Sequence, residues 1–459
     1  MIPFSSLKGP CKDTIDAINK QMDVHFEEIR KLRSAHNSHV PVSRLPAELL
    51  SEVFLCIVES SLPYLASGFA RGTFMFRQVC RHWDEVAVGF PQLWVQWLSR
   101  AVRAWPLFNT RSKEAPIFLK WQPYHAGEDL PADTVLPGRI RQLEFIGTRE
   151  QSEKLFRAVD SSAPSNASSI RIYITSHPTQ DTEKDTQAHL ARFLSSPLPK
   201  LSKLNITNYQ PDCSSAAFTT SSLTSLRLSF PAGARPRYTL AQFSRILQKH
   251  PNLRGLDLED AAVPQVESTE APVPFTLPQL DVLKLRGTPE CILRVVYLIG
   301  TTSPLHHIAL HFDLTRDQDV PASVDAVKKV LTAYYEHGGL DHPRRANHIT
   351  VSGAQSGPLC FIARSQSTPG PSPQPLLELR FSGGDKLMEI LPLFPLKDTQ
   401  EFTINGLLLT SNEYYRLLQQ VEGVSQLRLS GLDIKPVLKA LYSRNRGVLK
   451  GATDIMLSH

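Results

Sequence analysis

His306, His307 and His311 are the residues of this 459-residue chain whose type and spacing come nearest to metal chemistry. On a strand only His307 and His311 share a face, and no Cys or carboxylate follows at ligand spacing, so they read as surface histidines and not as a zinc set. The run Ser382-Gly-Gly-Asp-Lys386 lacks the spacing of a phosphate-binding loop. No Gly-x-Ser-x-Gly elbow occurs. Cysteines stand at 11, 56, 80, 213, 291 and 360 with no Cys-x-x-Cys and no metal spacing. Cys56 and Cys80 fall on apolar helix faces and read as reduced, buried thiols. These patterns hold no catalytic constellation, so no enzyme and no cofactor is expected. What remains is the chemistry of binding, through apolar edges and rows of charge that helices and strands must present.

The sharpest such pattern lies between residues 43 and 97. Leu45 enters, Pro46 can occupy the first helical position where its missing N–H costs nothing, and Glu48 complements the positive end of the helix dipole. Leu49, Leu50, Val53, Phe54, Ile57 and Val58 then recur in a stripe too wide for one neighbour, so one edge needs a partner. Phe76, Val79, Cys80, Trp83, Val86 and Ala87 recur at helical spacing opposite Arg77, Arg81, Asp84 and Glu85, which predicts a second amphipathic helix. Residue patterning alone also allows a helical hairpin that merely caps a larger domain. An uncovered apolar edge on a protein usually marks an interaction surface.

Leu45-Pro46, the run Glu48-Leu-Leu-Ser-Glu-Val-Phe54 and Val79-Cys80-Arg81-x-Trp83 together resemble the F-box, in the form found in mushroom-type fungi. Pro91, Leu93 and Trp94 continue that likeness. The resemblance implies a small helical module that docks on the Skp-type adaptor of a cullin-RING ubiquitin ligase. It implies Leu45, Pro46, Leu49, Leu50, Val53 and Phe54, supported by Val79, Cys80 and Trp83, as the docking set or its immediate core. The link from Ser60 to Thr73 is longer than the short turn of animal F-boxes.

Upstream, Ile15, Ile18, Met22, Phe26, Ile29 and Leu32 predict a helix of four or five turns. Ile15, Met22 and Ile29 share one heptad position, and Ile18, His25 and Leu32 the other, which allows a short coiled coil, but the pattern runs under the three to four heptads usually demanded, so docking on the same chain is the expectation and the coiled coil the alternative. The expected domains are an N-terminal helix over 1–40, the F-box over 41–99, and a repeat region over 100–459.

That region repeats a frame of apolar-x-x-apolar-x-apolar. Clear copies start at Ile140, Leu201, Leu223, Leu253, Leu280, Leu305, Leu376 and Val424, and degenerate ones at Ala167, Ala346 and Thr399. Successive steps of 27, 34, 22, 30, 27, 25, 41, 30, 23 and 25 residues straddle the leucine-rich-repeat period. The last two apolar positions of each frame put both side chains on one face of a short strand. Helix-compatible stretches follow at Gln187 to Leu194, Leu240 to Gln248, Cys291 to Ile299, Val324 to Tyr335, Leu387 to Phe394, Tyr414 to Val421 and Ile434 to Tyr442. No frame carries the Asn or Cys that normally satisfies the turn, and Ala261 to Pro278 and Ser365 to Pro375 read as loops. The fold class expected is mixed α+β or α/β: a helical F-box followed by an irregular leucine-rich-repeat-like α/β solenoid. An ordinary α/β domain with Leu-rich strands stays open.

In such an array the outward strand residues form a reading face for a macromolecule. Lys203, Asn205, Arg227, Asp257, Lys284, Arg286, His307, Arg380 and Arg428 are its candidate substrate contacts. A net charge of +6 from 50 basic and 44 acidic residues, with no concentrated basic block, points away from nucleic acid. No leader-like start and no membrane-length apolar run occurs, so cytosol or nucleus is expected and no membrane partner. The sequons at Asn166 and Asn205 read as chance. The function expected is a substrate receptor of an SCF-type ligase with adaptor, cullin and protein-substrate partners. The alternative is a non-catalytic repeat scaffold acting outside any ligase.

Overall fold

The structure is a computed structural model and describes residues 10–61, 75–123, 137–159, 166–175, 188–220, 222–230, 238–259, 274–300, 307–313, 325, 328–329, 348–352, 359–364, 377–382, 400–405, 410–420, 424–430, 434–442 and 454–458. The expected helices at Val324 to Tyr335 and Leu387 to Phe394, both expected loops and the insert from Ser60 to Thr73 lie wholly or mostly outside these residues. The chain divides into two compact units, Met1–Arg141 and Gln142–His459.

The first unit opens with α1 (Pro10–Ser38), longer than the apolar spacing alone requires. Its Ile18, Met22, Phe26, Ile29 and Leu32 are all exposed, so the expectation that this helix docks on its own chain is corrected. The helix α2 (Ala47–Ser61) starts one residue later than expected. Pro46 stands just before it, its carbonyl accepting the Leu50 N–H at 3.0 Å. The helix α3 (Arg81–Gly89) is shorter than the periodicity predicts, because Cys80 is extended at φ −161 and Met75 to Arg77 form a separate turn. That break lets Phe76 stack on Phe54 with ring centres 4.2 Å apart while Trp83 reaches the same ring at 5.1 Å. Arg77 pairs with Asp84 across the break and braces it.

Beyond α3, a turn at Pro91–Trp94, the parallel strands β1 (Gln96–Leu98) and β2 (Ile117–Trp121), and α4 (Trp105–Ser112) build an aromatic core. Trp94, Trp97, Trp105 and Trp121 are buried in it. Buried indole N–H groups need acceptors, and Trp94 Nε1 donates to the Ala87 carbonyl at 2.8 Å and Trp97 Nε1 to that of Trp94 at 3.1 Å. The Trp105 ring lies 5.5 Å from both Trp97 and Trp121. The Arg139 guanidinium donates to Asn109, Ser112 and the Ala115 carbonyl. The first unit runs to Arg141.

The second unit is built on a large, mostly parallel sheet. Its strands are β3 (Ile140–Gly147), β4 (Ser169–Ile174), β5 (Lys203–Thr207), β6 (Ser225–Ser229), β7 (Gly255–Glu259), β9 (Val282–Gly287), β11 (His307–Asp313), β12 (His348–Ser352), β13 (Leu359–Arg364), β14 (Leu377–Ser382), β15 (Glu401–Asn405), β16 (Gln426–Ser430) and β17 (Asp454–Ser458). The short strands β8 (Phe275–Thr276) and β10 (Ile299–Gly300) pair separately. Each of the eleven frames supplies its last two apolar residues to a strand, such as Leu204 and Ile206 or Leu256 and Leu258, and where side chains are described these are buried. Strands stack in chain order from β3 to β11, but the order then runs β14-β13-β12 before β15. The frames at Ala346 and Leu376 thus exchange the places that a simple array would give them. Between them lies β13, a strand outside the frames, which runs antiparallel to both β12 and β14. The three-strand meander thus lies in reverse of chain order, with β14 against β11 and β12 against β15.

After the frame at Leu201, Asn208 Nδ2 donates to the Ile174 carbonyl of the preceding repeat at 2.6 Å, so the expectation that no frame is followed by such an Asn is corrected there, and hydroxyls bridge turns from repeat to repeat. The first leucine of a frame is buried in a turn, with Leu201, Leu253 and Leu280 N–H donating to the carbonyls of Leu198, His250 and Leu277 at 3.0, 3.0 and 3.2 Å. The following residue offers its carbonyl to two successive N–H groups of the next repeat: Ser168 to Ser202 and Lys203, Ser202 to Thr224 and Ser225, Thr224 to Arg254 and Gly255. Ser202 and Thr224 hydroxyls add third bonds to these carbonyls, at 2.9 and 3.0 Å, and Ser425 does the same to Gln400 at 2.9 Å. Backbone groups at these buried turns are satisfied from strand to strand.

Helices α5 (Arg149–Val159), α6 (Ala188–Ser195), α7 (Leu240–Gln248), α8 (Pro289–Leu298), α9 (Ser411–Gln420) and α10 (Ile434–Tyr442) connect the strands. Three of them start at a reciprocal threonine cap: Thr148 with Gln151, Thr239 with Gln242, and Thr410 with Glu413. Phe145 of β3, Phe156 of α5 and Phe193 of α6 pack in sequence, with ring centres 6.2 and 4.8 Å apart, and join sheet to helices.

Candidate docking faces

In the first unit, α2 has two apolar edges with opposite fates. Leu50 and Phe54 are fully buried, and Val58 nearly so, with Phe54 packed against Phe76 and Trp83. Leu49, Val53 and Ile57 are exposed at 54%, 40% and 42%. With half-buried Leu45 they line a shallow apolar groove that also includes Glu52 and Cys56. Cys56 is exposed and Cys80 half-buried, so both thiols, expected in the core, are corrected outward. Cys56 follows Glu52 by one helical turn, which puts it on the exposed side of the stripe.

Of the residues expected to dock, Leu45, Leu49, Val53 and Val79 are accessible, and Pro46 is exposed at the helix entrance. Leu50 and Phe54 are core, and Trp83 supports them from α3. A second depression, lined among others by Glu48, Leu49, Glu52, His82 and Glu85, borders the same edge and makes its rim acidic. Such a face can bind an apolar surface with basic surroundings; it holds no nucleophile paired with a base.

In the second unit, residues paired across parallel strands share a face. Glu144, Arg171, Asn205, Arg227, Asp257 and Lys284 stand side by side on β3, β4, β5, β6, β7 and β9, opposite the buried leucines. The adjacent row holds Glu259, Arg286, His311 and Arg380. The expected residues Asn205, Arg227, Asp257, Lys284, Arg286 and Arg380 thus fall in two in-register rows, with Lys203 one position outside and Arg428 on β16 in line with the first row through Thr350 and Thr403. His307 is corrected: it is buried at 7% and leaves the accessible set.

Three arginines on this face are paired. Arg171 reaches Glu144 at 3.2 Å, Arg227 reaches Glu259 at 3.0 Å and Asp257 at 3.5 Å, and Arg428 reaches Glu401 at 2.8 Å. Burial raises the Asp257 carboxyl above its ordinary value, opposed by Arg227 and Lys284. Cross-strand pairs of this kind also stabilise a sheet on their own account. Among the described residues, no group of three His, Cys, Asp or Glu side chains could hold a metal ion, and no helix is long and apolar enough to cross a membrane. The Ser and Thr positions of the hydroxyl ladder escaped the sequence reading, although Ser168, Ser202, Thr224 and Ser425 each follow the first apolar residue of a frame.

No protein-family model matches the chain, and no curated protein matches it either.

Proposed function

We propose that the chain is a substrate receptor of an SCF-type cullin-RING ubiquitin ligase, with the N-terminal unit docking on a Skp-type adaptor and the C-terminal unit, read as an irregular leucine-rich-repeat-like array, holding a protein substrate. The observation that carries this reading is the exposed edge Leu49, Val53 and Ile57, which lies about 100° around α2 from its buried edge. Solvent contact at three aliphatic side chains on successive turns is costly, by about 25 cal/mol for each Å² left in water. A covering partner removes that cost. The order and helical phase of the F-box-like residues support the adaptor as that partner.

The mechanism is proximity. A receptor that tethers its target beside the ligase's charged ubiquitin carrier raises the effective concentration of the target's lysines and needs no reactive group of its own. The charge rows on β3 to β9 supply polar groups for recognising a folded or extended polypeptide.

Co-purification with a recombinant Skp-type adaptor tests the reading. The wild-type chain is expected to retain the adaptor, and Leu49→Asp with Val53→Asp to lose it while circular dichroism stays unchanged. Equal retention by the folded double variant would refute the docking edge and favour a repeat scaffold that works outside the ligase.

A further inference from the structure

We propose that α1 pairs side by side and in parallel with the α1 of a second copy of this chain. The helix is 29 residues long, about 43 Å at 1.5 Å per residue. Ile18, Met22, Phe26, Ile29 and Leu32 are exposed on it. They are not scattered: Ile15, Met22 and Ile29 recur every seven residues, as do Ile18, His25 and Leu32, and the two series interleave into one seam. Phe26 widens that seam on one flank. A seam of this period matches another helix carrying the same period, and the chain's own second copy carries it by construction.

The charges beside the seam choose the orientation. Glu28 precedes the seam residue Ile29, and Arg33 follows the seam residue Leu32, so the two flank the seam on opposite sides. Five residues apart, they do not face each other within one helix. In a parallel pair each Glu28 meets the second copy's Arg33, giving two opposite-charge contacts by symmetry. An antiparallel pair that keeps the apolar layers, with Met22 over the second copy's His25, instead places Lys12 beside the second copy's Arg33, twice. Glu27 pairs with Arg30 at 3.1 Å on the outer side, and Glu28 lies 3.5 Å from His25 Nδ1 on its own helix but keeps 65% of its side chain exposed, open to the second copy's Arg33. In the parallel pair, His25 faces its own copy in the central layer. A polar residue at one seam position fixes register and helix number at some cost in stability. The dimer does not depend on the docking role of α2.

The full-length chain is tested by light scattering after size exclusion and by self-cross-linking. At tens of micromolar the wild type is expected at twice the chain mass. Ile18→Asp with Leu32→Asp is expected at the monomer mass with its remaining structure intact, because these side chains are exposed in the single chain. Glu28→Arg and Arg33→Glu singly are each expected to weaken the dimer, and together to restore it. In a Cys11→Ser, Cys56→Ser background, which removes the cysteine one heptad before Ile18, Ile29→Cys is expected to form a disulfide with its own copy, since parallel layers stack Ile29 on Ile29, whereas the antiparallel layers place it against Ile18. A monomeric wild type, a dimer that survives the double Asp change, or Ile29→Cys that crosslinks no better than the background would overturn the proposal.

Discussion

Val53 and Phe54 are adjacent in sequence and opposite in role. Phe54 is fully enclosed between the rings of Phe76 and Trp83, and Val53 faces solvent on the groove side. Phe54→Ala is therefore expected to destabilise the first unit by about 3–5 kcal/mol, the cost of a large buried cavity. Val53→Asp should stay within about 0.5 kcal/mol of the wild type. Urea denaturation of the full chain, followed by tryptophan fluorescence, separates the two, because all the tryptophans lie in the first unit. A second residue sets a pH dependence. His250 is fully buried, and that burial holds its pKa below the ordinary 6.5. Above pH 6.5 both folded and unfolded chains carry it neutral and nothing is lost. As pH falls below 6.5 the unfolded chain takes up a proton that the folded one refuses, so stability drops until the folded pKa is passed. The raised carboxyls of Glu153 and Asp257 act in the other sense, since their folded forms take up protons first. His250→Gln should flatten the fall in stability from pH 7 to pH 5, read by urea midpoints by circular dichroism; an unchanged slope would assign it to other groups.

At the scale of elements, the hydroxyl ladder is the unexpected device. Thr224→Val keeps shape and removes the bond to the Ser202 carbonyl, so it should cost about 1 kcal/mol, measured by chemical denaturation. Frame periodicity made the strands legible: Leu204 and Ile206, or Leu427 and Leu429, announce a buried face by their spacing alone. Their places in the sheet were less legible. Nothing local to Leu359–Arg364 says that it will pair antiparallel on both sides, and strand order is fixed by such non-local hydrogen bonds. Helix α5 is faint in the sequence because its buried apolar residues, Leu155, Phe156 and Val159, are few and its start is marked only by the Thr148-x-x-Gln151 cap. On α2 the stripe foretold two edges, but its width could not say which one the chain covers. Phe76 decides that from beyond a 13-residue stretch outside the described residues. For α3, the extended Cys80 shortened a helix whose periodicity ran straight through it.

For the molecule as a whole, the proposed division of labour places attachment in the first unit and selection in the second. The docking claim has a reporter in the chain itself. Cys56 lies exposed in the groove with Leu49, Val53 and Ile57. The most direct measurement is the rate at which a small alkylating reagent modifies Cys56, followed by peptide mass spectrometry, with and without saturating purified Skp-type adaptor. Docking on this edge should slow Cys56 roughly tenfold or more, corresponding to about 1.4 kcal/mol of protection, while half-buried Cys213 in the second unit keeps its rate. A Cys56 rate unchanged by the adaptor would contradict docking through α2.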